Sequence, residues 1–537
     1  MSFLPVVGRE LRVTARNSRL YWGRLAAALI ATTVIAWLWL MNSAGRATSA
    51  DLAKLSFDVL SWMAFLFSLI LGVFLTADCI SEEKREGTLG LLFLTNLKGY
   101  DVALGKLAAI SLRALYSLTS IFPVLTIPLL LGGLTGQEVF RVALVLLVTM
   151  IFSLAIGLFI SSVSKNDRRA QFGALGVMAL ITLGVPLLFS FFRNKLPYLI
   201  GLEEFMAVSP GYAFHFAAQS RYVGSEVVFW KSLIVVHALS WIAFFAATVI
   251  VRRIWQDRPA SGTAGGLWQR FAAWKRGSAE KRRHYRNTLL GANAYYWLAA
   301  RDRLKPYYVG AFLTGCAAFW GVLWLYNGHD MLEQEAFFVC SVVLHSAMKV
   351  WIAAEAGRQF SEDRRNSALE LTLSTPLPVR DILEGQFLGL LRQFGIPIAA
   401  ILVFDVTGMI VGARMRMSSD SESVLTWVAM MIVFIVDTVT IATIGMWLGL
   451  VVRRSSRAIA QNLFFVIGVP WLILIGFVTY ISLVPMHRST MIESAEFLIG
   501  AYFLVSVATD LFLFLQASGN LTNRFREVAT ERFQTTK

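Results

Sequence analysis

The sequence predicts an all-α membrane protein that crosses the bilayer about twelve times. Three observations lead to this prediction. Of the 537 residues, 56% are hydrophobic and only 15% are charged, and the mean hydropathy is +0.62. A soluble domain carries about a quarter of charged residues. The apolar residues also gather into runs of about 20, the length that a helix needs to cross a membrane.

Twelve such runs can be placed along the chain, six in each half. The first six predicted spans are 20–41, 57–77, 107–132, 138–163, 172–192 and 229–251. The second six are 307–327, 335–356, 386–412, 424–452, 460–484 and 496–518. The third span contains Pro123 and Pro128, which predicts a kink because proline breaks the hydrogen bonding of a helix.

The distribution of Lys and Arg predicts the orientation of these spans. With both termini in the cytoplasm, the inner segments hold roughly four times as many Lys and Arg as the outer ones. We therefore expect a multi-pass protein of the plasma (inner) membrane. The same basic residues, held on the anionic inner leaflet, account for the net charge of +15. The lipid bilayer, and not a nucleic acid, is the expected partner of this charge.

A phrase that is first charged and then apolar occurs twice. Residues 81–97 read SEEKREGTLGLLFLTNL, and residues 361–377 read SEDRRNSALELTLSTPL. A weaker second match, which needs a two-residue insertion, pairs GLFISSVSKNDRRAQ at 157–171 with GLVVRRSSRAIAQ at 449–461. Because each half has an even number of spans, both halves begin and end on the inner side. The sequence thus predicts two parallel six-helix repeats, with the phrase on the cytoplasmic face of each.

Three segments follow from this duplication. Residues 1–256 form the first six-span half with an N-terminal interfacial helix, residues 257–292 form a basic cytoplasmic linker, and residues 293–537 form the second half. The stretch VVGRELRVTARNSRLYW before the first span predicts an amphipathic helix on the inner surface. NAYYWLAARDRLKPYY at 293–308 is its counterpart before the seventh span.

The repeated phrase predicts two short elements. Ser81 is expected to cap a helix whose first turns carry acidic residues, which favourably oppose the helix dipole. Gly87 then permits a bend. The apolar run that follows is too short to span a membrane, so it needs another surface to cover it. That surface is either the membrane itself, which would make the phrase a plain interfacial helix, or a partner protein.

The stretch ISEEKREGTLGLLFLTNLKGYDVALGKL resembles the cytoplasmic signature of permeases in the type-2 exporter class of ATP-binding-cassette (ABC) transporters. The resemblance implies that each phrase holds a coupling helix that docks on a separate ABC ATPase subunit. Two half-permeases fused in one chain would then engage two ATPase copies, and segment 293–308 would be a connecting helix. The second copy departs from the pattern, because Asn366, Ser367 and Ala368 replace Glu86, Gly87 and Thr88. The two docking elements are therefore expected to be unequal.

The resemblance assigns ATPase docking to twelve residues in the two copies. They are Glu82, Glu83, Arg85, Gly87, Leu91, Thr95, Glu362, Asp363, Arg365, Glu370, Leu371 and Thr375. The stretch Gly99–Lys106 has five residues between its glycines where a phosphate-binding loop needs four. We thus expect a transport subunit and not an enzyme, with no cofactor or metal of its own and with ATP and Mg²⁺ on the partner. Lipids, glycans, peptides, drugs and ions all remain open as substrates.

Three acids fall inside predicted spans: Asp405, Asp437 and Asp510. A charge near the bilayer centre costs about 2.5–3.5 kcal/mol on insertion scales. These acids either line a polar path, bind a cationic group of the substrate, or have no transport role and are protonated or bond to Ser, Thr, Tyr or Trp groups on neighbouring helices. The aligned positions of Asp405 and Asp437 in the first half are the apolar Leu125 and Val145.

Two other functions are compatible with the sequence. In a twelve-span secondary transporter, the three acids would couple transport to an ion. A membrane scaffold would transport nothing. The repeated phrase favours the ABC exporter, and the acids favour the ion-coupled carrier to a smaller degree. The segment 193–226 is the longest predicted outer loop, and its apolar patches predict short surface or re-entrant helices.

Overall fold

We analysed a computed structural model of the protein. The structure describes residues 7–8, 12, 19–42, 48–77, 79–81, 99–164, 167–186, 189, 205–254, 279–328, 334–415, 421–452, 455–483 and 495–531. The described residues contain helices and no strands. The chain separates into two compact units, Met1–Pro259 and Ala260–Lys537. An all-helical membrane protein is what the sequence predicts, because only a helix satisfies all its backbone polar groups within one segment.

The first unit contains nine helices within its described residues. They are α1 (Arg19–Asn42), α2 (Ser49–Thr76), α3 (Gly99–Thr119), α4 (Phe122–Leu130), α5 (Gly136–Val163), α6 (Asp167–Ala179, continued by a π-helical turn at Leu180–Gly184), α7 (Pro210–His215), α8 (Gln219–Tyr222) and α9 (Glu226–Ile254). The core of the unit forms where α2, α5 and α9 pack together.

Small residues let α2 and α5 approach closely. A Cβ atom built on Gly72 would lie 1.8 Å from the Oγ atom of Ser153, and one on Gly157 would lie 2.1 Å from the Oγ1 atom of Thr76. Across the same contact, the hydroxyl of Ser153 donates to the carbonyl of Ser68 at 2.8 Å. Small residues at the interface are the usual means by which membrane helices pack, because lipid supplies no hydrophobic driving force between them.

The second unit contains eleven helices within its described residues. They are α10 (Ala279–Ala292), α11 (Ala294–Ala299), α12 (Lys305–Asn327), α13 (Gln334–Ala356), α14 (Arg358–Arg365), α15 (Ala368–Leu373), α16 (Val379–Met415), α17 (Ser421–Val451), α18 (Ser455–Leu463, continued by a π-helical turn at Phe464–Gly468), α19 (Val469–Leu483) and α20 (Ala495–Thr530).

The second unit repeats the close crossing of the first. Here the end of α13 meets α17 at glycines, since Gly357 directly follows the last residue of α13. A Cβ atom on Gly449 would lie 2.3 Å from the carbonyl oxygen of Gly357, and one on Gly357 would lie 2.4 Å from the carbonyl oxygen of Gly445. Gly449 is the residue that the second sequence match pairs with Gly157. The same crossing therefore occurs in both units, which supports the internal duplication.

Within the part of the chain that the structure describes, ten helices are long and apolar enough to cross a membrane, and each overlaps one of the predicted spans. The remaining two predictions, 20–41 and 172–192, coincide with the shorter apolar helices Ala27–Trp39 and Ala170–Gly184. The kink predicted at Pro123 is a break: α3 ends at Thr119, and α4 begins at Phe122 with Pro123 in its first turn.

Candidate coupling surface and intramembrane polar cluster

Only the second copy of the repeated phrase can be described. The docking residues predicted in the first copy lie outside the described residues. They are Glu82, Glu83, Arg85, Gly87, Leu91 and Thr95. The most N-terminal amphipathic helix, predicted before the first span, is also largely outside them. The description of this surface therefore rests on residues 357–379 of the second unit.

The second copy forms two short helices, α14 and α15, joined by a tight turn. Ser367 makes this turn in the left-handed conformation, with φ at +56°. It aligns with Gly87, and glycine adopts this conformation without a steric cost. The predicted cap, Ser81, is itself helical, and its hydroxyl donates to the carbonyl of Ala77 at 3.4 Å. Ser361, the equivalent of Ser81, lies inside α14, whose N-cap is Gly357, because the helix begins before the charged phrase and directly after α13.

Two apolar side chains hold this helix pair on the unit. Phe360 and Leu369 are fully buried, in a cluster with residues at one end of α16, α17 and α20. The ring of Phe360 contacts Phe525 edge-on, with their centroids 5.5 Å apart. The two helices are therefore packed against the ends of three long helices, and are not a loop resting on the unit.

The charged residues of α14 bond mainly within the unit. The Nε atom of Arg358 donates to Glu362 at 3.0 Å. Asp363 accepts from Gln359 at 3.1 Å and from the hydroxyl of Tyr295 at 3.3 Å. Burial, with Asp363 beside it, raises the pKa of Tyr295 well above its usual range, so this hydroxyl keeps its proton and donates. Of the two predicted docking residues on α14, Asp363 thus ties the helix to α11 through Tyr295, whereas Glu362 pairs within α14.

The other predicted docking residues of this copy face outwards. Arg365, Glu370, Leu371 and Thr375 are exposed, and Leu371 is 72% exposed. We call these four residues the α15 surface. An exposed leucine bordered by charged and hydroxyl side chains is a feature of surfaces that bind partners, although a single exposed leucine needs no explanation by itself.

The segment predicted as a connecting helix forms α11 and packs on the start of α16. The side chain of Asn293 caps α11 by accepting from the backbone N–H groups of Tyr295 and Tyr296, and it donates to the carbonyl of Asp381 at 2.9 Å. Gly385 allows this contact, since a Cβ atom there would lie 2.7 Å from both Asn293 and the backbone of Tyr296.

The three predicted intramembrane acids are all buried: Asp405 and Asp510 are 0% exposed and Asp437 is 1% exposed. Asp405 accepts from the hydroxyl of Ser341 at 2.5 Å and lies 2.9 Å from the Nε2 atom of His345. The ring of His345 stacks on Phe434, with their centroids 3.9 Å apart. Asp405 is thus bonded to a neighbouring helix, which is one of the three roles that the sequence left open.

The other two acids lie together. Asp437 forms an ion pair with Lys349 through its Oδ2 atom, and Asp510 lies beside Asp437 on α20, which packs against α17. Among the described residues, no donor reaches the Oδ1 atom of Asp437 or either carboxyl oxygen of Asp510. We call Lys349, Asp437 and Asp510 the polar cluster.

Sequence reasoning missed the partners of these acids. Ser341, His345 and Lys349 are spaced four residues apart on α13, so they lie along one face of that helix. The spacing is a readable signal, since a polar residue every fourth position within an apolar run marks a face that lipid does not cover.

The first unit has an apolar cavity where the second has these charges. The cavity has a volume of about 600 Å³. Its lining comes from α2, from α6 with its π-helical turn, and from α7, and includes Phe65, Leu69, Met178, Thr182 and Tyr212. With the alignment of the repeated phrase extended along the preceding helix, Phe65 matches His345 and Leu69 matches Lys349.

The sequence predicts short helices in the segment 193–226, and its described part contains α7 and α8. Residues of α7 close one side of this cavity. Phe214 of α7 stacks on Phe65, with their centroids 4.6 Å apart. The guanidinium of Arg141 fixes the loop by donating to the carbonyl of Ala217 at 3.0 Å. His215 also lines the cavity; burial and the nearby Arg221 lower its pKa, so it is neutral at physiological pH.

Comparison with known proteins assigns the first unit to a family. Residues 6–253 match the family model described as ABC-2 family transporter protein. No curated protein matches the chain. The match covers the six predicted spans of the first half, and the second half repeats the phrase and the helix crossing of the first. Residues 6–253 therefore match the ABC-2 family of transporter proteins, and the chain is a multi-pass membrane protein.

Proposed function

We propose that this chain is the membrane-spanning permease of an ATP-driven exporter, in which two fused half-permeases couple to two separate ABC ATPase subunits. The observation that carries the proposal is the α15 surface. Its exposed leucine and glutamate stand on two short helices that are packed against the ends of three long helices. A partner that pushes on such a surface moves the packed elements with it, because protein interiors are too dense to absorb the displacement locally.

The route from the α15 surface into the unit is short. Leu369 and Phe360 carry displacement to α16, α17 and α20 through the cluster they share. Tyr295 contacts Asp363 on one side and belongs to α11 on the other. The connecting segment and the coupling helices therefore move as one packed body under this proposal. In the orientation that the Lys and Arg residues predict, both termini lie in the cytoplasm. This packed body would then lie on the cytoplasmic side, where an ATPase could bind it.

The cavity in the first unit bears on the substrate class. Its lining is mainly aromatic and aliphatic, with a few polar groups, such as Thr182 and the neutral His215. Pockets of about 300–1,000 Å³ with this character bind drug-sized apolar ligands. We therefore propose an apolar or amphiphilic substrate.

Leu371→Arg is expected to weaken ATPase binding about tenfold, which corresponds to about 1.4 kcal/mol. An apolar side chain at the centre of an interface contributes most when it is desolvated, and arginine there cannot be. The measurement is titration of the purified chain with the ATPase that co-purifies from its native host and carries a G-x-x-x-x-G-K-[ST] loop.

The matched control for this experiment is Leu290→Arg, since Leu290 is also an exposed leucine of the second unit, at 42%, but lies on α10, outside the membrane-spanning helices. It is expected to leave ATPase affinity unchanged in the purified protein. If Leu371→Arg binds the ATPase as the wild type does, or if no such ATPase co-purifies, the α15 surface is not a docking surface.

Cysteine labelling tests the orientation. In a variant without the three native cysteines, none of which forms a disulfide, single cysteines are introduced one at a time. Three positions are expected to react with an impermeant reagent from outside: Thr48, His215 and Ser418. Three are expected to react only after permeabilisation: Gly90, Gly265 and Glu370. Outside labelling at Gly90 or Glu370 would reverse the orientation and remove the α15 surface from the cytoplasm.

The ion-coupled secondary transporter is the second candidate function. The polar cluster favours it, since buried ionisable groups in membrane helices often mark ion pathways. The two candidates differ in their energy source. In membrane vesicles, a chain that turns over only with its ATPase and ATP is an ABC permease, whereas one that works on an ion gradient after ATP depletion is a carrier.

A further inference from the structure

The charges in the polar cluster do not balance as they stand. Asp437 and Asp510 are almost wholly inaccessible, at 1% and 0% exposed. The cation beside them is Lys349, which pairs with Asp437 and has 12% of its side chain exposed. Two ionised carboxylates beside one ammonium would leave a net negative charge inside the helix bundle. An uncompensated buried charge is strongly destabilising, and two neighbouring buried carboxylates cannot both stay ionised.

The hydrogen bonds of the two acids also indicate that one of them is protonated. Lys349 reaches the Oδ2 atom of Asp437. That leaves three buried carboxyl oxygens without a donor among the described residues, namely Oδ1 of Asp437 and both oxygens of Asp510. Buried acceptors without a donor are rare and call for an explanation. A proton on Asp510 supplies the missing donor, since its O–H group would point at the Oδ1 atom of Asp437.

We propose that Asp437 and Asp510 share one proton beside Lys349, so that the second unit contains a proton-binding site within its membrane-spanning helices. With this proton the cluster holds one ammonium, one carboxylate and one neutral carboxylic acid, and its charges sum to zero. Loss of the proton would return a negative charge to the bundle. The site therefore binds and releases a proton at an energetic cost that any movement of α13, α17 or α20 would change.

The other titratable and polar groups around the polar cluster come from α13, α19 and α20. From α20, Tyr502 lies near both acids, and its ring packs on Trp471 of α19 at a centroid distance of 4.9 Å. His345 precedes Lys349 by one turn on α13 but is engaged with Asp405 of α16. On the remaining side, Ser506 is buried one turn before Asp510 and lies beside Tyr502.

The site belongs to the second unit alone. The first-unit positions that align with Lys349 and Asp437 are Leu69 and Val145, which cannot titrate. Leu69 instead lines the apolar cavity. One unit thus offers an apolar cavity and the other a titratable site at equivalent places on the second helix of the bundle. The inference goes beyond the proposed function and does not depend on ATPase docking, so either can fail without the other.

Infrared spectroscopy of the full-length protein in lipid nanodiscs tests the proposal. At neutral pH the wild type is expected to show the carbonyl band of a protonated carboxylic acid, equivalent to one carboxyl group per chain. Asp510→Asn is expected to lose that band and to remain folded, because an amide can donate to Asp437 as the protonated acid does. Asp405→Asn is the matched control, since it changes another buried acid of the same unit and is expected to keep the band.

Two outcomes would overturn the proposal: a wild type without the band, and a band that persists in Asp510→Asn. If the band is absent and the unfolding temperature of the wild type rises with sodium chloride but not with choline chloride, an effect lost in Asp510→Asn, the site binds a metal cation instead. If Asp510→Asn does not fold, Asp437→Asn is measured, and a shift of the band in that variant supports the shared proton, whereas an unshifted band overturns it.

Discussion

Gly449→Leu is expected to prevent the second unit from folding. A Cβ atom at this position would lie 2.3 Å from the carbonyl oxygen of Gly357 and 2.6 Å from its Cα atom. Both are backbone atoms, so no side-chain rotation relieves the overlap and α13 must separate from α17. We expect a loss of at least about 3 kcal/mol of unfolding free energy, the upper end of the cost of overpacking a core. Size-exclusion chromatography and thermal unfolding in detergent measure it.

Two variants make this experiment interpretable. Gly476→Leu is the control, because nothing lies within 4 Å of a Cβ atom at Gly476, and it is expected to elute and unfold as the wild type does. Gly157→Ala should be milder than Gly449→Ala, since the atom in closest contact there is the Oγ1 atom of Thr76, at the end of a side chain that can rotate. A Gly449→Leu protein that unfolds at the wild-type temperature would show that the helices do not cross at this point.

Lys349→Met is expected to cost about 3–5 kcal/mol, because it leaves the buried Asp437 without its cation. Adding Asp437→Leu to the same chain should restore most of that loss, since an apolar pair of similar volume removes the uncompensated charge. The coupling between the two substitutions is read from a double-mutant cycle of unfolding free energies.

The control is Lys231→Met, because Lys231 also lies within a long apolar helix but is exposed. It should change the unfolding free energy by no more than about 0.5 kcal/mol, as surface substitutions usually do. If the single Lys349→Met variant is as stable as the wild type, or if the double variant is less stable than the single one, the ion pair does not hold α13 to α17.

Much of the fold could be predicted, because hydropathy and internal repetition are properties of the whole chain. The spans follow from the length of each apolar run, and the helix crossing at Gly449 lies where the second sequence match begins. The break at Pro123 follows from the missing backbone N–H group of proline. Each of these signals depends on residue type and local spacing alone, so it can be read from the sequence without knowledge of tertiary contacts.

The candidate site could be predicted only in part, because tertiary contacts decide which polar residues face outwards. Glu362 and Glu370 are both acidic residues of one phrase, yet Glu362 pairs with Arg358 while Glu370 is exposed. Eight-residue and six-residue helices are too short for periodicity to separate their faces. The partner of Asp437 was missed for a related reason: Lys349 comes from a helix far away in sequence.

The junction at Gly357 has a consequence for how this protein can change over generations. The helix that carries Lys349 ends at Ala356, and α14 begins at Arg358, so no loop separates the polar cluster from α14, to which a tight turn joins α15. Inserting or deleting one residue between them would rotate one against the other by about 100°, the turn per residue of an α-helix. Relatives that keep both features are therefore expected to differ here by substitution alone, with a constant number of residues from the lysine to the exposed leucine.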